Sequence, residues 1–317
     1  ATGDAASPLG WEGLYRNRRS IQLDLKTPKG VELFKQLLRH ADVMIDNFTP
    51  RVMPNLGLDY EQLAAENPEL IIAQLSAAGR SGPWADTVSY GPTLTALYGV
   101  KSLYGYPENK RMVEDAADLD PISAAYGMLA IMGALHHRDR TGQGQMIEIA
   151  QGEAGFIAMT EAMIEYVWND REMGPQGNLH RVLAPHGIYP CTGDDRWIAI
   201  ACGSDEEWSA LAHAAGHEEW LEQDAYRTAA GRRAARAELD AAIGAWTAPE
   251  DDAALTQLLQ EAGVAAFPVM GVFDMLADSH HSHRRDHYEL PEEMPMASLL
   301  NGNPWHLSAA QPSVRSP

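Results

Sequence analysis

The chain has 317 residues, of which 45% are hydrophobic, and it carries a formal net charge of −20. This hydrophobic fraction supports a folded core and excludes a disordered chain, and the length suits one large domain or two. Because nucleic acids and anionic membranes bind basic surfaces, the acidic excess argues against both as partners. An anionic ligand would need a local basic pocket.

The N-terminal quarter predicts strands alternating with helices. Residues 20–25 alternate in polarity like a strand, and residues 27–41 form an amphipathic helix with Thr27 as N-cap and Pro28 at the first helical position. Residues 42–48 then form a short apolar strand. This pattern indicates a β-α-β unit.

A second such unit follows, with a helix over 59–68 and a buried strand over 70–79. The repeated order predicts an α/β fold with a Rossmann-like parallel sheet, in which ligands bind at the carboxyl ends of strands. Residues 47–51 and 76–83 fall at such ends and are candidate ligand-binding loops.

The middle of the chain predicts a buried helix over 121–138, a strand over 146–150 and another apolar helix over 152–168. The character changes after residue 180, where 186–202 predicts two strands around a turn and 264–270 a further strand. We therefore predict three parts, namely a large Rossmann-like domain (1–182), a small α/β domain (186–270) and a segment returning to the large domain (271–317).

Two cysteines, Cys191 and Cys202, flank the predicted hairpin. A disulfide between them is one alternative, but two free thiols are more typical of a protein from a reducing compartment. The N-terminal sequence has neither the basic start nor the apolar stretch of a signal peptide. We expect a cytoplasmic protein.

A histidine cluster in the C-terminal region is a candidate metal site. It comprises His280, His281, His283 and His287. The spacing matches no compact zinc pattern, so we expect no metal and a surface connection instead. Serine-hydrolase and dinucleotide-binding motifs are also absent from the sequence.

Asp120 precedes Pro121 at the start of the predicted buried helix, and two interpretations remain open from local sequence. Asp-Pro is a strong helix-start signal, with Asp as N-cap and Pro at the first helical position. A carboxylate held at such a position at the mouth of a pocket could instead attack an activated acyl group.

The order of several segments resembles the class III CoA-transferase family, which includes formyl-CoA and crotonobetainyl-CoA transferases and 2-methylacyl-CoA racemases. The resemblance is strongest over residues 15–165 and looser beyond. The segments that carry it are NRRSIQLDLKTPKG, LLRHADVMIDNFTP, LGLDYEQLAAENPELIIAQLSAAGRSGP, DLDPISAAYGMLAIMGALHHRDRTGQGQMIEIA and VAAFPVM.

The resemblance implies an enzyme that moves CoA from an acyl-CoA thioester to a carboxylic acid acceptor. Asp120 matches the family's catalytic aspartate, which forms a mixed anhydride with the acyl group. Tyr90 matches an active-site tyrosine of the transferases. Lys26 matches a lysine near the CoA phosphates, and Asn47 and Phe48 match residues that line the CoA arm.

The resemblance also has departures. Arg51 stands where the family has glycine, and with Lys26 and Arg18 it is a candidate to offset the CoA phosphate charge. The family's usual N-terminal strand–helix–strand unit and its closing segment have no counterpart in this sequence. We therefore expect either weak CoA binding or a partner chain that supplies these segments.

The resemblance further implies an interlocked homodimer. Our prediction is a class III CoA-transferase that uses acyl-CoA as substrate, works through Asp120 and Tyr90, and has no metal. Three alternatives stay open: a 2-methylacyl-CoA racemase, with Asp120 as acid–base, a non-catalytic CoA-binding subunit, and a metal-binding module that uses the C-terminal histidines. The sequence does not select the acyl donor or the acceptor acid.

Overall fold

The computed structural model describes residues 17–108 and 118–284, together with the short stretches 287–289, 299–301 and 304–310. The chain separates into two compact units. The first holds residues 22–179, and the second holds the described residues from 180 onward together with 17–21. The three-part division made from the sequence stays a prediction.

The first unit is a parallel sheet with helices, as predicted. Its strands are β1 (Val43–Asp46), β2 (Ile71–Ser76) and β3 (Met146–Ala150), in spatial order β1-β2-β3. Its helices are α1 (Pro28–Leu38), α2 (Val52–Asn55), α3 (Tyr60–Glu66), α4 (Gly91–Leu97), α5 (Leu119–Thr141), α6 (Gln151–Ala154) and α7 (Thr160–Asn169), with short 3-10 turns over Val100–Leu103 and Gly155–Met159.

The central strand β2 explains why helices lie on both faces of this sheet. Every residue of β2 is buried. Ile72 faces a cluster that includes Leu38 and Leu63, whereas Leu75 faces Ile131 of α5 on the other side. Burial on both faces is typical of parallel strands, which read as continuous apolar runs.

The start of α1 confirms the predicted cap. The hydroxyl of Thr27 accepts a hydrogen bond from the Gly30 N–H at 3.1 Å, and Pro28 is the first helical residue. The strand predicted over 20–25, however, is wrong: these residues are irregular and mostly exposed. Alternating polarity is not sufficient for a strand, because the backbone also needs a neighbouring strand to pair with, and none of the described sheets includes this stretch.

The start of α5 differs from the predicted one. The helix begins at Leu119 with Asp118 as N-cap, so Asp120 is the second helical residue and not the cap. The Tyr104 hydroxyl donates a hydrogen bond to the Asp118 carboxylate, and the Asp118 carbonyl accepts from the Ile122 N–H. Asp118 therefore takes the place that the Asp-Pro signal assigned to Asp120.

The helix predicted over 152–168 is broken at Gly155. A β-carbon added to Gly155 would lie 2.2 Å from Cδ2 of Leu119, so the backbone here packs directly on that side chain. This close approach turns one expected helix into α6, a 3-10 turn and α7.

The second unit contains an antiparallel sheet of β4 (His186–Pro190), β5 (Trp197–Ala201) and β6 (Ala265–Pro268), which confirms the predicted strands. Its core packs one face of this sheet, through Ile198 and Ile200, against helices. The helices of this unit and a further strand pair are α8 (Asp205–Ala214), α9 (Glu219–Glu222), α10 (Ala229–Ala234), α11 (Arg236–Thr247), α12 (Asp252–Glu261), α13 (Val272–Ala277), α14 (Ser279–Arg284), β7 (His287–Glu289) and β8 (Leu299–Asn301).

Within the part of the chain that the structure describes, no helix combines the length and the apolar character needed to cross a bilayer.

Both cysteines are free and buried, so the favoured interpretation of two free thiols is confirmed. Burial raises the pKa of the Cys191 thiol to about 11 and that of the Cys202 thiol to about 12. We expect both thiols to react with iodoacetamide at pH 8 far more slowly in the native chain than in urea, because the reactive thiolate is suppressed. Mass spectrometry of alkylated peptides measures this, and equal rates in the two conditions would contradict it.

Candidate active site

The candidate site lies at the carboxyl edge of the parallel sheet. The loops after β1 and β2 leave the sheet at this edge. Helix α5 leads into β3, which is parallel to β2, so the crossover places the start of α5 at the same edge. The topology thus gathers the residues that follow β1 and β2 and the Asp120 helix start on one side.

Asp120 is an exposed carboxylate in the first turn of a 23-residue helix. Among the described residues, no hydrogen bond or ion pair reaches its carboxylate, whereas its backbone carbonyl accepts from Ser123 Oγ at 2.9 Å. Partial desolvation raises its pKa above the ordinary value for an aspartate. The carboxylate is therefore accessible, has no partner in the described part of the chain and is more basic than a fully solvated one, which suits a nucleophile.

A buried apolar cluster fixes the position of Asp120. Its neighbour Leu119 is fully buried with Leu94 of α4 and Val100, and Tyr98 packs against them. Tyr98 in turn lies so close to Gly152 that an added β-carbon would be 1.9 Å from the tyrosine ring. These contacts hold α4, α5 and α6 in one arrangement around the Asp120 helix start.

Tyr90 lies at the start of α4 as its N-cap residue, and its side chain is 78% exposed. The Thr93 hydroxyl accepts from the Tyr90 N–H at 2.9 Å and fixes the backbone at this point. Helix α4 and helix α5 both pack on the cluster that contains Leu94 and Leu119, but no hydrogen bond joins the Tyr90 and Asp120 side chains.

A cleft of about 500 Å³ opens beside this cluster. Its walls come from the loop after β2 and from the segment after β3, both at the carboxyl edge. The ring of Tyr98 meets Trp84 and Phe156 edge to face, each with centroids 5.9 Å apart. The lining residues are Ala78, Ser81, Gly82, Pro83, Trp84, Tyr98, Glu153 and Phe156. Aromatic rings with few polar groups are typical of a pocket for an organic ligand.

Asn47 and Phe48 directly follow β1, as predicted. Asn47 is exposed and the Phe48 side chain is 49% exposed, so both are accessible to a ligand. The Phe48 N–H donates to Asp46 Oδ1 at 3.2 Å. Asp46 and its neighbour in the sheet, Gln74, are buried polar residues that sequence reasoning missed. The only available signal was a polar residue inside each of two apolar strands.

The three predicted phosphate-binding cations come from separate parts of the chain. Lys26 is exposed in the turn before α1, and Arg51 is exposed beside Asp86, with 3.9 Å between Nη1 and Oδ1. Arg18 belongs to the second unit. Their roles in binding CoA stay predictions.

Over the described ranges of the chain, no group of three or more His, Cys, Asp or Glu side chains is arranged to hold a metal ion.

The parallel sheet, the accessible carboxylate at a helix start and the aromatic cleft define an α/β protein with a candidate site for an organic ligand. A known family model matches nearly the whole chain. The chain belongs to the CoA-transferase family III, whose model matches residues 2–317. This confirms the predicted family and enzyme class.

Individual relatives of this chain are also named as CoA-transferases. The chain is 35% identical over 273 residues to a succinyl-CoA–D-citramalate CoA-transferase of Chloroflexus aurantiacus, covering 86% of this chain and 67% of the relative. It is 34% identical to a probable CoA-transferase of Mycobacterium tuberculosis, covering 87% of this chain and 35% of that protein. The crystal structure of a CAIB/BAIF family protein from Brucella suis superposes with a TM-score of 0.86 at 29% identity, over 96% of this chain and 79% of that one.

Proposed function

We propose that the chain transfers CoA from an acyl-CoA to a carboxylic acid through a mixed anhydride on Asp120. An Asp120 oxygen attacks the thioester carbonyl, the C–S bond breaks, and CoA leaves as the thiolate. The thiolate then attacks the Asp120 carbonyl, which releases the first acid and leaves CoA on Asp120. The acceptor carboxylate attacks the carbonyl of this aspartyl-CoA thioester, the C–S bond breaks, and a second mixed anhydride forms as the CoA thiolate leaves. The thiolate then attacks the acceptor acyl carbon of that anhydride, which forms the new acyl-CoA and releases the Asp120 carboxylate.

The observation that carries this proposal is the accessible Asp120 carboxylate, which has no partner among the described residues, at a helix start in a chain of this family. The first N–H groups of a helix have no partner within the helix. At this helix start Pro121 has no N–H and the Ile122 N–H donates to the Asp118 carbonyl, so the N–H groups of Leu119 and Asp120 are the proposed donors to an oxyanion. Tyr90, at the start of the adjacent α4, helps to shape the pocket.

CoA itself is proposed to lie along the carboxyl edge. Asn47 and Phe48 line its pantetheine arm, and Lys26 and Arg51 offset its phosphate charge. The exposure of these four side chains supports this assignment.

The raised pKa of Asp120 predicts how activity depends on pH. Only the ionised carboxylate is a nucleophile, so activity is lost as pH falls through the pKa of Asp120. Because this pKa is raised, the acidic limb of kcat/KM should lie above the ordinary aspartate value of about 3.9. A pH–rate profile measures it, and a limb at or below the ordinary value would contradict the assignment.

A substrate panel tests the proposed reaction. Succinyl-CoA is the first donor to try, because the first relative described above carries it in its name. Acyl-CoAs with apolar acyl chains are the second class of donor to try, because aromatic rings line the cleft. Each donor is mixed with short mono- and dicarboxylic acids, and new thioesters are measured by mass spectrometry. Exchange of the α-proton with solvent deuterium without a new thioester would support the racemase, and CoA binding without either would support a non-catalytic subunit.

A second copy of the chain is proposed to complete the enzyme, in the cytoplasm. Large apolar side chains are exposed on α5, including Leu129 at 71%, and on α7, including Val167 and Trp168 at 74% and 76%. Large apolar side chains exposed on neighbouring turns of a helix are typical of an interaction surface, and two free thiols fit a reducing compartment. Light scattering of the purified chain tests this, with a monomer alone contradicting the homodimer and favouring a different partner chain.

A further inference from the structure

A chain of three polar side chains runs across the carboxyl edge of the sheet. Asp46 ends β1 and lies directly opposite Gln74 of β2. The Gln74 amide Nε2 donates to Asp46 Oδ2 at 3.1 Å, and Asp46 Oδ1 accepts from the Phe48 N–H at 3.2 Å. At the other end, the Arg80 guanidinium donates to Gln74 Oε1. These contacts join the loop after β2 to the loop after β1.

The direction of every hydrogen bond in this chain is determined. Arginine can only donate, so Gln74 must turn its oxygen toward Arg80 and its amide nitrogen toward Asp46. Asp46 then accepts twice, once from Gln74 and once from the Phe48 backbone. Asp46 and Gln74 are both buried, so a group that lost its partner here would not be satisfied by bulk water.

Two buried apolar side chains at these positions would join β1 to β2 at a lower cost in folding free energy than a buried carboxylate. The cost of burying this carboxylate is visible in the pKa of Asp46, which burial raises. What the polar chain adds is a fixed backbone at Phe48, the residue assigned to the CoA arm. We propose that Asp46, Gln74 and Arg80 form a positioning relay that sets the Asn47–Phe48 backbone for binding CoA. This inference rests on the proposed function.

The relay can be tested by exchanging its two central groups. In Asp46→Asn alone, the new side chain has only one acceptor oxygen. If this oxygen accepts from the Phe48 N–H, the new amide nitrogen faces the Gln74 amide nitrogen, and two hydrogen-bond donors oppose each other. In Gln74→Glu alone, two carboxylates face each other. In the double variant, the amide now at position 46 accepts from Phe48 and donates to the carboxylate now at position 74. That carboxylate accepts from Arg80, so every hydrogen bond is restored with the same number of atoms.

The expected result is a loss and a rescue in the affinity for CoA, measured by calorimetry on the purified chain. Asp46→Asn should raise the Kd by about tenfold, the equivalent of one lost hydrogen bond, and the double variant should return it to within about threefold of the wild type. With an active chain, the KM for acyl-CoA should follow the same pattern while kcat changes little.

The control is Ile72→Val, which shortens a buried side chain on the same face of β2. It lowers the melting temperature without touching the relay, and it should leave the Kd unchanged. An Asp46→Asn variant that binds CoA as the wild type does, or a folded double variant that binds no better than Asp46→Asn, would overturn the relay.

Amide exchange at Phe48, read by NMR on labelled protein, needs no ligand and separates this inference from the proposed function. If the wild-type chain does not bind CoA, the proposed function fails. The relay is then supported if Asp46→Asn speeds exchange at Phe48 and the double variant slows it again, and it is overturned if exchange is the same in all three proteins.

Discussion

Asp120→Asn should abolish CoA transfer while leaving the fold intact. The substitution keeps the shape of the side chain but removes the nucleophilic carboxylate, so we expect kcat to fall by at least about a thousandfold. Because Asp120 is exposed and its carboxylate contacts no described residue, the melting temperature should hardly change. Steady-state kinetics and thermal unfolding measure the two effects.

The matched control is Asp139→Asn, which makes the same change on the same helix at an exposed position near its far end. It should retain full activity. Loss of activity in both variants would point to an effect on the helix, and retained activity in Asp120→Asn would remove Asp120 from the mechanism.

Gly152→Ala should strongly destabilise the first unit. A β-carbon at Gly152 would lie 1.9 to 2.2 Å from three ring atoms of Tyr98, and the Gly152 N–H is held by the Ala77 carbonyl at 3.0 Å, so the backbone cannot easily withdraw. We expect the free energy of unfolding to fall by about 3 kcal/mol, the upper part of the range for overpacking. Urea denaturation measures it.

Gly133→Ala provides the opposite control. Gly133 lies within α5 with no atom near the position of an added β-carbon, so alanine should stabilise the helix by about 1 kcal/mol. Adding Tyr98→Leu to Gly152→Ala should recover part of the lost stability. A Gly152→Ala variant as stable as the wild type would show that the Tyr98 contact does not hold the site together.

Much of the first unit could be predicted because its signals are local. Thr27 and Pro28, which are adjacent in sequence, mark the start of α1, and β2 is recognisable as a mostly apolar run that Gln74 interrupts. Asp120 was selected as the candidate nucleophile by resemblance, since the local Asp-Pro signal left both a helix cap and a nucleophile open.

The features that could not be predicted depend on contacts between distant residues. Helix α5 begins early because Tyr104 reaches Asp118, and α6 separates from α7 because Gly155 meets Leu119. The relay was hidden for a related reason. Asp46 and Gln74 are 28 residues apart, and only the register of β1 against β2 brings them together.

The most direct test of the central claim is to trap the intermediate on Asp120. The purified chain is mixed with each donor acyl-CoA, quenched with hydroxylamine and digested, and the peptide that contains Asp120 is analysed by mass spectrometry. We predict a hydroxamate on Asp120 with the productive donor and none in Asp120→Asn. An unmodified Asp120 peptide under conditions where the same chain forms a new thioester would contradict the covalent mechanism.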